Sequence, residues 1–194
     1  MSLPKLNEET SVPVEQTAPE GVVMKHWIEE IKESIPDFAK DTRLNLDAIY
    51  NRTSLSKELV EGCMVACVVA IGNTRLSEYI TSKVTISDKE FNAATTAASL
   101  MAQNNVWYPY VEMTEDPALK GLGAGLRMNA ISTHGGTSKA NFEAYSLAAS
   151  IIGKCHFCVK AHYDTLKKEG FTVEQLRDIG RIASVMNAVA KAIG

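Results

Sequence analysis

The sequence predicts an all-α fold. Apolar residues recur at helical spacing from about residue 22 almost to the end of the chain. Ser and Thr stand where those runs begin, and Gly, Asn or Pro where they stop. Strand-like alternation of apolar and polar residues never persists.

Taken in order, residues 1–21 are polar, carry Pro4, Pro13 and Pro19, and show little periodicity. They are expected to form an extended arm held by a neighbouring subunit, because such a composition cannot bury a core of its own. Residues 22–194 are expected to form a single all-α domain. Val23, Trp27, Ile28 and Ile31 mark a first helix, which Pro36 interrupts. A second covers 37–50, with Phe38, Leu44, Leu46 and Ile49. A third, 55–71, is strongly apolar and ends at Gly72-Asn73, after which a short helix starts at Thr74. Ser87 begins a long helix, with Glu90 three residues on in a capping-box pattern. Residues 109–137 contain Pro109, Pro117 and five glycines and read as a loop. Ser138 starts a helix through Ile152, Cys155 opens the next as far as Glu169-Gly170, and Thr172 caps the last.

The chain is 45% hydrophobic and 22% charged with a net charge of -3, which is ordinary for a globular protein of 194 residues. No basic stripe points to nucleic acid. No uninterrupted apolar run approaches the length of a membrane span. The N-terminus lacks the charged-then-apolar pattern of a secretory signal, and four cysteines in such a chain do not resemble a secreted disulfide framework. A cytoplasmic protein with a catalytic or metal-binding cysteine pair is expected.

Shifted by about 85 residues, the chain resembles itself. Ala183-Ser184-Val185-Met186 falls on Ala98-Ser99-Leu100-Met101, Thr172 on Ser87, and Glu143 on Glu58. Cys155, Cys158 and His162 fall on Ala70, Asn73 and Ser77, so the fold unit is repeated and its chemistry is not. Residues 55–105 read as a structural half and 138–190 as a catalytic half.

The chemistry concentrates at Cys155-His156-Phe157-Cys158, with His162 four residues later and Glu143 on the preceding helix. Positions 155, 158 and 162 share one helix face, so both sulfurs and one imidazole converge, while His156 and Phe157 point elsewhere. A helix start lowers a thiol pKa, and the two cysteines are close enough in sequence to bridge. Glu143 reaches this face if the two helices pack antiparallel, as the short Gly153-Lys154 connection favours. Three readings fit these residues: a reactive dithiol; buried structural thiols; or zinc held by Cys155, Cys158 and His162 with Glu143 or His156. Cys63 and Cys67, one turn apart in the most apolar helix, read as core packing. Glu58 reads as structural, Trp27, Trp107 and the methionines as core or interface, and His26 and His134 have no evident partner in the sequence.

Asn104-Asn105-Val106-Trp107-Tyr108, Gly125-Leu126-Arg127-Met128-Asn129, Lys139-Ala140-Asn141-Phe142-Glu143 and Cys155-x-x-Cys158-x-x-x-His162 together resemble alkyl hydroperoxidase D (AhpD), within the carboxymuconolactone decarboxylase-like superfamily. The resemblance covers roughly residues 40–194. It implies an all-helical fold of two related halves, a homo-oligomer (trimer or hexamer), and a dithiol peroxidase. It also implies that Cys158 attacks the hydroperoxide, that Cys155 resolves it, and that Glu143 and His162 form a proton relay. The disulfide would be reduced by the dihydrolipoyl group of a 2-oxo acid dehydrogenase component, with no bound cofactor or metal, and electrons could pass to a peroxiredoxin. The family pattern has histidine directly before the second cysteine. This chain has Phe157 there and His156 one place earlier, a rotation of about 100° on a helix. The expected function is a cytoplasmic, lipoyl-linked hydroperoxide reductase with Cys158, Cys155, Glu143, His162 and His156 as site residues. The alternative is a non-catalytic redox sensor or zinc-binding interaction protein on the same scaffold.

Overall fold

The computed structural model describes residues 26–194. The expected arm at 1–21, and the start of the first helix at 22–25, lie outside the described residues. Ten α-helices and two 3₁₀ turns, with no strand, make up the described residues. α1 (Trp27–Ser34) begins at His26, whose ring Nδ1 accepts from the Ile28 N–H at 3.3 Å, a cap the sequence did not announce. A 3₁₀ turn at Asp37–Ala39 leads into α2 (Lys40–Asn51), in place of one continuous helix over 37–50. α3 (Lys57–Ile71) is capped by Ser56 and ends on Gly72, whose φ of 74° needs the freedom of glycine. α4 (Thr74–Lys83) is capped by Asn73.

α3 is apolar all round because it lies at the centre of the domain. It packs against α5 (Asp88–Thr114), α8 (Lys139–Ile152) and α10 (Val173–Ala192). Every residue from Leu59 to Val68 is buried. Gly62 permits the closest approach, since a Cβ there would overlap the Tyr145 ring of α8. Cys63 and Cys67 are fully buried and unpaired, as expected of core cysteines. Burial pushes both thiols well above their ordinary range.

The structure departs from the expected 109–137 loop. α5 runs straight through Pro109 to Thr114, and Asp116 caps a four-residue helix, α6 (Pro117–Lys120). Proline removes one helical hydrogen bond, but the rings on either side hold the helix in register. Tyr108 stacks on Phe157 at 4.3 Å between ring centroids, and Trp107 lies 5.8 Å from Tyr110. Only 123–128 is a stretch without regular structure, before α7 (Asn129–Thr133) and a 3₁₀ turn at His134–Gly136. The capping box expected at Ser87 is half-formed. The Ser87 hydroxyl accepts from the Glu90 N–H at 3.3 Å, but the Glu90 carboxylate is drawn into the core. There it accepts from Thr137, from Tyr145 at 2.6 Å and from Asn141 at 3.2 Å. The complete box is at Thr172, with Gln175 returning its side chain to the cap.

The helix caps correct the internal register. Ser56 and Ser138 open α3 and α8, and Asn73 and Cys155 open α4 and α9 (His156–Lys168); both pairs are 82 residues apart. Ser87 and Thr172, which open α5 and α10, are 85 apart. The shift read from sequence therefore holds for the third helix of each triple and not for the first two. On the caps, Glu143 corresponds to Glu61 and not to the exposed Glu58. Glu61 is buried and accepts from Tyr50 at 2.7 Å and from the Thr85 N–H at 2.6 Å. Among the described residues no helix is long and apolar enough to cross a membrane.

Candidate active site

The site forms where α8 hands over to α9. The turn between them is short: Lys154 takes a left-handed φ of 54°, and the Cys155 N–H donates back to the Ser150 carbonyl at 3.3 Å. Gly153 lies directly under Asn105 of α5, where a Cβ would collide with the Asn105 side chain. Asn105 donates to the Ala149 carbonyl at 3.2 Å. Three helices thus fix the position of Cys155.

Cys155 is the N-cap of α9, and its Sγ accepts from the Cys158 N–H at 3.2 Å, the role usually taken by a Ser, Thr or Asp oxygen. The two cysteines are joined as a disulfide, with Cα atoms 5.3 Å apart. Cys155 is 0% exposed and Cys158 is 3% exposed. The helix N-terminus and the donated N–H favour negative charge on the Cys155 sulfur. Cys158 is the less buried of the two sulfurs.

His162 stands one turn after Cys158 on α9, and Glu143 projects from α8. Glu143 Oε2 and His162 Nδ1 are 2.7 Å apart, with both side chains mostly buried. Nδ1 faces the carboxylate, which accepts, and the other ring nitrogen is Nε2. That nitrogen faces Met101 Sδ of α5 at 3.1 Å. The structure brings Cys155, Cys158, Glu143 and His162 into one cluster. It leaves His156 outside: 85% of that side chain is exposed, and its Nδ1 is 3.9 Å from Glu112 Oε1.

Phe157 also faces away from the sulfurs, stacked on Tyr108 with 24° between ring planes. Beside this pair lies a cleft of about 830 Å³, walled by Trp107, Tyr108, Val111, Leu122, Phe157 and Ala161, with charged side chains at its rim. Met101, Asn105 and Tyr108 were not singled out as site residues in the sequence. Their spacing of four and then three residues places them on one face of α5, and that spacing is the signal that could have found them.

Zinc is poorly served by this arrangement. Both sulfurs are bonded to each other, and the two His162 nitrogens are turned to Glu143 and Met101. Among the described residues no three His, Cys, Asp or Glu side chains are grouped to hold a metal ion.

The Carboxymuconolactone decarboxylase family model matches residues 117–193. An alkyl hydroperoxide reductase AhpD from Bradyrhizobium is 40% identical over 168 residues, covering 86% of this chain and 92% of that protein. Its counterpart from Streptomyces griseus is 37% identical over 164 residues, covering 84% and 92%. That from Brucella canis is 36% identical over 168 residues, covering 86% and 95%. The chain belongs to the AhpD family. AhpD membership agrees with the all-helical architecture and with a Cys-x-x-Cys pair at the start of a helix. At 168 residues, 86% of the chain, the match is too long to be confined to the cysteine-bearing half.

Proposed function

We propose that this protein is a dithiol alkyl hydroperoxide reductase in which Cys158 attacks the peroxide and Cys155 closes the disulfide. The observation that carries this reading is the Cys155–Cys158 disulfide at the start of α9, with Glu143 and His162 paired beside it in a chain of AhpD descent.

In the reduced protein, the Glu143–His162 pair takes the Cys158 thiol proton. The thiolate attacks the terminal peroxide oxygen and the O–O bond breaks. The departing alkoxide takes up a proton and leaves as the alcohol, and Cys158 becomes a sulfenic acid. Cys155 then attacks that sulfur, water leaves, and the disulfide forms. A dihydrolipoyl thiolate on a lipoylated 2-oxo acid dehydrogenase component attacks Cys158 Sγ. Cys155 leaves as a thiolate held by the Cys158 N–H, and the second lipoyl thiol completes the exchange. A peroxiredoxin is a further acceptor for electrons from the dithiol. His156 supports the reading least, since it sits in solvent on the far side of the helix.

A cytoplasmic setting belongs to the same reading, because the cycle depends on a reducing thiol supply. So does a homo-oligomer: Val106, Tyr110 and Met113 form an exposed apolar row on one face of α5. The reading is tested by following hydroperoxide loss with dihydrolipoamide as electron source. Turnover is expected with both thiols together and is lost when either Cys158 or Cys155 is replaced by Ser. Equal peroxide loss with and without the protein would contradict it.

A further inference from the structure

We infer that Met101 of α5 is a positioning residue for the Glu143–His162 pair, its thioether accepting the second ring N–H of His162 when the pair holds the Cys158 proton. This rests on the peroxidase reading above and adds a residue to its proton relay.

The His162 imidazole is held from two sides. Glu143 Oε2 of α8 lies 2.7 Å from Nδ1, and Met101 Sδ lies 3.1 Å from Nε2. Among the described residues the two ring nitrogens have no further partner. Met101 is 1% exposed and the His162 side chain 15%, so little solvent reaches the ring. A neutral imidazole carries one N–H, but an imidazolium carries two, whichever nitrogen held the first. Taking up a proton therefore creates a second donor, and a buried donor left without an acceptor is costly. Glu143 meets the Nδ1 side. On the Nε2 side the acceptor in place is the Met101 sulfur, which is weak but polarizable, on a side chain flexible enough to follow the ring.

The rest of that face of α5 keeps the acceptor in place. Asn105, one turn beyond Met101, donates to the Ala149 carbonyl of α8 at 3.2 Å. Tyr108, a further turn on, stacks on Phe157 of α9 at 4.3 Å. One stripe of α5 is thus tied to both helices that carry the pair. In the reaction the Cys158 S–H bond breaks, its electrons stay on sulfur as the thiolate, and its proton passes to the pair. Met101 changes no covalent bond. Weakening its acceptor disfavours the protonated pair, so Cys158 would keep its proton to a higher pH.

The test follows alkylation of Cys158 by iodoacetamide against pH in reduced, full-length Cys155→Ser protein, alone and with Met101→Leu or Met101→Gln added. Leucine nearly conserves the volume, a swap that cores tolerate, whereas glutamine brings an acceptor oxygen. On the acid side of the profile, Met101→Leu is expected to slow alkylation by about threefold to tenfold, the range of one net hydrogen bond. The profiles should converge at alkaline pH, where solvent takes the proton, and Met101→Gln should recover the acid-side rate. Superimposable profiles, an equal loss at every pH, or the same acid-side loss in Met101→Gln would overturn the inference. A second arm leaves Met101 unaltered. Nuclear magnetic resonance of protein with isotopically labelled histidine reads the His162 ring N–H signals in acid, identified by their loss in His162→Phe. Two slowly exchanging ring protons are expected, and a fast-exchanging Nε2 proton would count against the inference. Neither arm requires turnover, so a shifted profile in a protein that consumes no hydroperoxide would sink only the peroxidase reading.

Discussion

Glu143 Oε2 lies 2.7 Å from His162 Nδ1, and this one contact ties α8 to α9 a single turn beyond Cys158. It fixes the orientation of the imidazole and turns Nε2 toward Met101 Sδ. Glu143→Gln keeps the shape but removes the charge that supports a protonated His162. His162→Phe removes the base. Each is expected to slow hydroperoxide reduction by ~10²–10⁴ while circular dichroism and thermal unfolding stay near wild type. Wild-type rates in both variants would remove the pair from the mechanism.

The disulfide is asymmetric, and the asymmetry predicts where a reductant attaches. Cys155 Sγ already accepts the Cys158 N–H, so it is the better leaving group, while Cys158 is the less buried sulfur. Oxidised protein treated with a limiting monothiol should therefore carry the mixed disulfide on Cys158. Peptide mapping decides it, and an adduct found mainly on Cys155 would reverse the order.

The other two cysteines should stay silent. Cys63 and Cys67 are sealed in α3, and burial pushes both thiols up, Cys67 further through the neighbouring Cys63. A reduced, folded sample exposed to N-ethylmaleimide should label at Cys158 and Cys155 long before Cys63 or Cys67, which become reactive on unfolding. Native labelling of Cys63 at the Cys158 rate would contradict this packing.

Acid stability should depend on Asp178. This buried carboxylate of α10 accepts from the Ser54 N–H at 2.8 Å, the Ser54 hydroxyl at 2.9 Å, the Thr53 hydroxyl at 3.1 Å and Arg181 at 2.9 Å. Burial alone pushes its pKa up, but the donors from Ser54 and Arg181 outweigh it and hold the group well below the ordinary 3.8. A depressed carboxylate contributes stability above the unfolded-state value, and that stability is lost as pH falls through the folded one. Asp178→Asn should cost ~1.5–3 kcal/mol at neutral pH, the scale of hydrogen bonds to a charged group. The difference should shrink once pH drops below about 4. Urea unfolding at pH 7 and at pH 3 checks both parts, and an equal difference at the two pH values would exclude the charge as the cause.

Local rules made most of the helices legible. Ser56, Ser87, Ser138 and Thr172 each accept the N–H three residues on, as a capping residue should. The failures came where tertiary contacts overrode local preference. Pro109 reads as a stop, yet Tyr108 against Phe157 carries α5 past it. Glu90 reads as half of a capping box, yet Thr137, Tyr145 and Asn141 draw its carboxylate inward. The repeat register slipped by three residues because small apolar residues align equally well at neighbouring shifts, whereas caps do not. At the site, the helix period was enough to bring Cys155, Cys158 and His162 together. The spacing of Met101, Asn105 and Tyr108 puts them on one face of α5, but nothing local indicates that this is the face that meets α9.

The account stands or falls on Cys158 as the atom that meets the peroxide. In Cys155→Ser protein the sulfenic acid has no resolving partner and should persist long enough to be trapped. Reduced Cys155→Ser protein is given one equivalent of cumene hydroperoxide in the presence of dimedone and mapped by mass spectrometry. The predicted result is a dimedone adduct on Cys158, formed together with cumyl alcohol. No adduct on Cys158, with the hydroperoxide left intact, would contradict the account.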